Sequence, residues 1–265
     1  MNDYLKKYLK EYIALVDEEM YDELYSNCSN WDRAELTDFL LSCNIKPDEY
    51  MKSLPEYYLA KSNVHSYHIS STINVIESFA FRDCPKLNSI HIPNSVTSIG
   101  NGAFWNCTSI ESITIPDSVT SIGKNAFYNC TGLTNITIPD IVTSIGEYAF
   151  LNCSNLTSIT ISNSLTSIER GTFNNCTSLK SVTIPDRVTS IGARAFYDCE
   201  NLTSITIPNS VTNIREVAFY NCARLNTISY RGTVEEWKHI DITPRSFYNV
   251  LTSVVRCTDG ITRTL

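Results

Sequence analysis

Apolar positions along this chain follow two rhythms. Over residues 3–26, Leu5, Leu9, Tyr12, Ile13, Val16, Met20 and Leu24 return every three or four positions, the spacing of one helix face. From about residue 73 the rhythm changes, and whole phrases return every 23 residues: SIGNGAFWNC at 98–107, SIGKNAFYNC at 121–130, SIGEYAFLNC at 144–153. Cys84, Cys107, Cys130, Cys153, Cys176, Cys199 and Cys222 keep this step, and a phenylalanine stands three positions before each, from Phe81 to Phe219. Three more columns, Leu87 to Leu225, Ile90 to Ile228 and Ile76 to Ile214, keep it too and are apolar throughout. A fixed period of this size predicts a solenoid whose invariably apolar columns point inward, because one coil alone cannot bury its own apolar face.

Within a unit, Leu133-Thr-Asn-Ile-Thr-Ile138 alternates with period two. It predicts a short strand with Ile136 and Ile138 inside and Asn135 and Thr137 outside. Pro93, Pro116, Pro139, Pro185 and Pro208 end this strand in most units. Val119 and Ile122 mark a second short extended piece, and the Ala-Phe-x-x-Cys phrase predicts one helical turn. Neighbouring coils then pair strand to strand at roughly 4.8 Å, so seven of them build a rod or shallow arc about 30 Å long. The cysteine is read as a small buried residue. Its column runs parallel, a poor geometry for disulfides, and neither a C-x-x-C motif nor a Cys/His cluster is present, so free thiols and no metal or cofactor are expected.

The unit L-x-x-I-x-I-P-x-x-V-x-x-I-G-x-x-A-F-x-x-C resembles the BspA-type leucine-rich repeat over residues 73–228. The stretch from Ile228 to Ile240, with Val255 to Gly260, is similar to the closing region after such repeats in bacterial members. The resemblance implies an α+β repeat solenoid, a right-handed leucine-rich repeat coil with a parallel β-sheet, and a binding protein rather than an enzyme. The domain reading is a helical N-terminal domain or cap at 1–62, about seven repeats at 63–228, and a C-terminal cap at 229–265.

A second N-terminal helix is expected from Trp31 through Leu41, capped by Ser29 or Asn30, and a third from Pro47. Of the 28 acidic and 21 basic residues, 13 and 6 lie in positions 1–60, which leaves 15 of each in the remainder, so the net charge of −7 belongs to the helical segment. That segment reads as a cap over the first coil, or as a recognition module whose acidic residues Asp17, Glu18, Asp22 and Glu23 imitate nucleic-acid phosphate on a basic groove of another protein. Direct nucleic-acid binding is not expected, since that affinity comes from Lys and Arg. The first twenty residues hold no continuous apolar core, so neither a signal peptide nor a membrane span is expected, and the expected location is the cytoplasm.

The outward strand positions, Ser112 and Thr114 through Ser204 and Thr206, are monotonous and poor in the residues that anchor interfaces. The column after the phenylalanine is richer: Trp105, Tyr128, Leu151, Asn174, Tyr197 and Tyr220. It is either a stripe of exposed anchors for a partner or a set of rings that pack on one another and shield the turn. The fifth coil departs most from the pattern, with Ser162 for proline, Glu169 for glycine, Thr172 for alanine and Asn174 for the aromatic. The four histidines, 65, 68, 91 and 239, are scattered, and no nucleotide-binding or nucleophile motif appears. The expectation is a non-enzymatic platform that binds or occludes a protein partner. The alternatives are an intracellular inhibitor, for example of a host defence nuclease, acting through the acidic helices, and a surface adhesin.

Overall fold

The structure is a computed structural model that describes residues 65–251 and 254–264. The three helices expected over residues 3–62, with Asp17, Glu18, Asp22 and Glu23, lie outside the described residues. Eight main strands stack in register, one per repeat: β1 (Ser66–His68), β3 (Ser89–His91), β5 (Ser112–Thr114), β7 (Asn135–Thr137), β9 (Ser158–Thr160), β11 (Ser181–Thr183), β13 (Ser204–Ile207) and β15 (Thr227–Tyr230). Between them run the second strands β2 (Val75–Ile76), β4 (Ser98–Ile99), β6 (Ser121–Ile122), β8 (Ser144–Ile145), β10 (Ser167–Ile168), β12 (Ser190–Ile191) and β14 (Asn213–Ile214). All pairings among these strands are parallel, Ile113 opposite Ile136 and Ile122 opposite Ile145, for example, so like sits on like. The inward isoleucines, leucines, phenylalanines and cysteines form one continuous core, and Phe104 through Phe219 have no solvent exposure.

The third side of each coil departs from the sequence expectation. The Ala-Phe-x-x-Cys phrase does not make a helical turn; it makes a run of tight turns that is also a ladder. Gly102, Phe104 and Asn106 N–H donate to the carbonyls of Lys124, Ala126 and Tyr128 in the next coil, each at 2.7 Å. The intervening amides of Ala103, Trp105 and Cys107 close turns onto Gly100, Gly102 and Phe104 at 3.3, 3.0 and 3.2 Å. Alternate amides thus point along the solenoid and around it. That alternation requires left-handed backbone twice per coil, at Gly102 (φ 58°) and Asn106 (φ 62°) in this one, and a left-handed residue breaks a helix. The residue before each cysteine supplies the second such position and is always Asn or Asp, the non-glycine types that tolerate it best: Asp83, Asn106, Asn129, Asn152, Asn175, Asp198 and Asn221, with Asn249 at the equivalent place in the turn beyond. Their side chains form their own ladder, Asn106 Nδ2 to Asp83 Oδ1 at 2.9 Å and Asn175 Nδ2 to Asn152 Oδ1 at 2.8 Å.

The other left-handed column is less uniform and includes Val217 at φ 50°. A β-branched side chain is the type least suited to that region. Replacing Val217 by Asn, which Asn125 already places in the same column, is expected to stabilise the protein by about 1 kcal/mol. Thermal melting checks this; a melting temperature at or below the parent's contradicts it.

The solenoid runs on past residue 228. After β15 a short helix, α1 (Val234–Lys238), is capped by Thr233 and Glu236 in a reciprocal capping box. It buries Trp237 completely against Tyr230 and Phe247, and the indole N–H donates to the Arg263 carbonyl at 3.2 Å. β16 (Asp241–Ile242) then pairs with β14, Phe247 stacks on Phe219 at 4.9 Å, and β17 (Val254–Arg256) pairs with β15. The insertion of α1 lengthens the repeat here, so an eighth turn follows where a fixed period counts seven. β18 (Ile261–Arg263) closes the main sheet antiparallel to β17.

The sheet ladders break around the irregular fifth coil and at one other place, between β3 and β5. β8 and β10 do not pair, nor do β9 and β11, so each interface of this coil loses one of its two sheet ladders. The turn ladder is unbroken there: Phe150 N–H donates to Thr172 O at 2.9 Å and Phe173 N–H to Ala195 O at 2.8 Å. At the glycine column a Cβ would run into the backbone of the preceding coil, 2.5 Å from Ser78 N at Gly100. Glu169 occupies that column, its carboxylate tied to Ser167 Oγ at 2.5 Å within its own coil. Arg215 occupies it too, yet β12 and β14 still pair, so bulk at this position does not by itself open the sheet.

Candidate partner-binding face

The turn ladder places one side chain per coil outward, immediately after each buried phenylalanine. Because the backbone of successive coils is hydrogen-bonded in register, these side chains fall in line. Trp105 and Tyr128 stack with ring centroids 4.1 Å apart, Tyr197 and Tyr220 at 4.8 Å, and Tyr220 and Tyr248 at 5.5 Å. Guanidinium groups cover the first ring of each series: Arg82 over Trp105 at 5.3 Å and Arg194 over Tyr197 at 5.9 Å. Leu151 and Asn174, both half-buried, separate the two series.

The rings of this column pack on one another and also remain partly exposed. The rings spend their faces on one another, which fixes their rotamers, while Trp105, Tyr128, Tyr197 and Tyr220 stay half-exposed and Tyr248, at the end, is 59 % exposed. A second column runs beside the first. Phe79 lies across Gly102 and Tyr148 across Gly171, where a Cβ would collide with the ring, so glycine leaves the bed on which each ring lies flat. Arg82, Tyr148, Phe79 and Tyr248 escaped the sequence reading. Arg82 stands one repeat before Trp105 and Tyr248 one lengthened repeat after Tyr220, so the signal was the column itself, continued one coil further at each end.

Preorganised Trp, Tyr and Arg in one surface is the composition of interface anchors. Charge adds little: Lys124 and Glu147 pair at 2.9 Å, but Lys124 is exposed and Glu147 only half-buried, so water screens the pair. The outward face of the main strands differs, carrying Ser, Thr and Asn, and immediately before β9 the Thr157 hydroxyl serves the fold itself, donating to Thr134 O at 3.0 Å. Among the described residues no cluster of three or more His, Cys, Asp or Glu could hold a metal ion, and no helix is long and apolar enough to cross a membrane.

The eight described cysteines are free thiols. Cys107 through Cys222 donate to the phenylalanine carbonyl of the preceding coil, Cys107 to Phe81 O at 2.9 Å and Cys153 to Phe127 O at 3.2 Å, whereas Cys84, in the first coil, points to Arg82 O of its own coil. Burial pushes the Cys153 thiol up to about 12 and raises Cys130, Cys176, Cys199 and Cys222 in the same way. These are structural groups, not nucleophiles.

Short parallel strands stacked at a fixed period, with Leu, Ile and Phe columns inside, define a leucine-rich repeat solenoid. The chain belongs to the BspA type leucine rich repeat family, whose model matches residues 52–177 and 143–262 in six copies. Solved structures agree. A leucine-rich repeat protein of Bacteroides ovatus is 32 % identical with a TM-score of 0.57, over 70 % of this chain and 53 % of its own. A leucine rich cell surface protein of Faecalibacterium prausnitzii is 29 % identical with a TM-score of 0.51, over 67 % and 62 %. One from Eubacterium ventriosum is 25 % identical with a TM-score of 0.56, over 77 % and 49 %. The match spans about half to three-fifths of each of these solved chains. No curated protein matches.

Proposed function

We propose that this chain is a non-enzymatic interaction platform that docks a protein partner on the turn-ladder face, through Trp105 and Tyr128 at one end and Tyr197, Tyr220 and Tyr248 at the other. The observation that carries this reading is the in-register stacking of these rings beneath Arg82 and Arg194. Stacked rings lose little further side-chain freedom on docking, so their contact area converts into affinity more fully than that of loose side chains. Leu151 and Asn174 separate the two ends and carry no ring, so a partner would make weaker contact there.

The expectation of a cytoplasmic protein finds no support among the relatives, one of which is described as a cell surface protein. We place this platform at the cell surface, and the buried thiols are compatible with that, since residues without solvent exposure are shielded from oxidants. The inhibitor reading rests on the acidic helices alone and gains no support from the described residues.

Partner capture from the native host tests the face. The full chain is compared with Trp105→Ala/Tyr128→Ala, with Tyr197→Ala/Tyr220→Ala, and with Thr137→Lys on the strand face. Each aromatic double change is expected to weaken retention of the same partner at least tenfold while Thr137→Lys leaves it intact. The reverse order of sensitivity moves the binding surface to the main sheet.

A further inference from the structure

One outward column of the main sheet reads Thr114, Thr137, Thr160, Thr183 and Thr206 through five consecutive coils. In the first two coils the same column holds His68 and His91. The two are a full repeat apart in sequence, which hides the pair, but β1 and β3 set them directly opposite each other. Both side chains are exposed, with ring centroids 5.5 Å apart and 33° between planes.

We infer that His68 and His91 form a binding site for a divalent transition metal of the zinc type. A ring nitrogen lies little more than an ångström from its centroid, so small rotations of both rings bring one nitrogen of each to roughly 3.4 Å, the separation of two ligands on a tetrahedral Zn²⁺ with Zn–N bonds of about 2.0–2.1 Å. Imidazole is a preferred ligand for Zn²⁺, Ni²⁺ and Cu²⁺, whereas the threonines that fill the column elsewhere are not. The backbone does the positioning. Ile69 N–H donates to the His91 carbonyl at 3.1 Å, and the amides of Asn88 and Ser89 both donate to the His65 carbonyl, at 2.9 and 3.2 Å. These bonds hold the two strands in register on either side of the pair, so the ligands need no backbone rearrangement to converge. Two histidines leave coordination positions for water.

The site has a structural consequence. β1 is ladder-paired to β3 alone, in a two-stranded sheet at the start of the described solenoid. A metal shared between His68 and His91 cross-links that first strand to the second coil, and stabilises it by mass action in proportion to metal bound.

Zn²⁺ titrated into the full chain, followed by calorimetry and by NMR of the histidine imidazoles, tests the site. One equivalent is expected, with the resonances of two imidazoles, His68 and His91, shifted. His68→Gln and His91→Gln are each expected to weaken binding at least tenfold, and His239→Gln to leave it unchanged. These positions are exposed, so the variants keep the fold. A parent that takes up no Zn²⁺ overturns the inference, and so does a His68→Gln/His91→Gln double variant that binds as tightly as the parent, which would put the metal on other ligands.

Discussion

Truncation of Phe150 to alanine is expected to lower the stability of the solenoid by about 3–5 kcal/mol, the cost of deleting a buried aromatic ring. The ring has no solvent exposure and stacks on Phe127 at 5.3 Å and on Phe173 at 5.6 Å. Loss of one ring therefore empties contacts on two coil interfaces at once. One of them is the entrance to the irregular coil, where β8 and β10 no longer pair and the main sheet, the turn ladder and the phenylalanine stack hold the coils together. In a solenoid each coil is bound only to its neighbours, so weakening one interface can separate the array into blocks. Denaturant unfolding should show a midpoint well below the parent's and, if the coupling drops far enough, two transitions in place of one. A midpoint equal to the parent's means that the ring is not in the core.

What was legible in the sequence was the inside of the molecule. A residue that faces inward in every coil meets the same environment once per repeat, so the Phe, Cys, Leu and Ile columns were fixed by period alone, and nearly all are buried. Ile159, in the irregular coil, is the half-buried exception. The turn side was misread because Ala-Phe-x-x-Cys has helical spacing; the decisive residues were Asn106 and its equivalents, whose left-handed backbone ends any helix and whose amides stack into a ladder. Asn and Asp directly before each cysteine carried that information. The eighth turn was lost to phase, since α1 displaces Phe247 from the place a fixed period assigns it, although Ser246-Phe-Tyr-Asn249 restates the phrase plainly. For the candidate face, Trp105, Tyr128, Tyr197 and Tyr220 could be picked out as a column, but whether they stack or splay depends on coil spacing and on Arg82 and Arg194, which only the structure supplies.

The free thiols carry little information about location. A column of unpaired cysteines suggests a reducing compartment when the thiols are accessible. Here Cys107 to Cys222 have no solvent exposure and each donates to a carbonyl of the preceding coil. They face a compartment only when the protein unfolds, so their redox state says little about where the folded protein resides.

The same burial makes the fold sensitive to alkali. An exposed thiol in the unfolded chain ionises near pH ~8.5, whereas burial raises the folded-state values of Cys130, Cys153, Cys176, Cys199 and Cys222, the Cys153 thiol reaching about 12. Between those limits the unfolded chain has released protons that the folded chain still holds. Fewer protons bound in the unfolded state means that stability falls as pH rises, by about 1.4 kcal/mol per pH unit for each such group. Five groups together give about 7 kcal/mol per unit, against a whole-domain stability of about 5–15 kcal/mol. Below about pH 8 the thiols contribute no pH dependence; unfolding is expected within about one to two units above their unfolded value. Urea midpoints measured from about pH 7 to 11 with a reductant present should decline steeply above about pH 9. Cys153→Ala/Cys176→Ala removes two of these groups and should make the decline shallower by about 3 kcal/mol per pH unit, even though it lowers stability at neutral pH by deleting two buried sulfur atoms and their bonds to Phe127 and Phe150. The difference between slopes isolates the thiols from the tyrosines and lysines that also titrate in this range, because those are common to both proteins. Parallel declines in parent and variant would assign the alkaline instability to those other groups and remove the thiol column from the account.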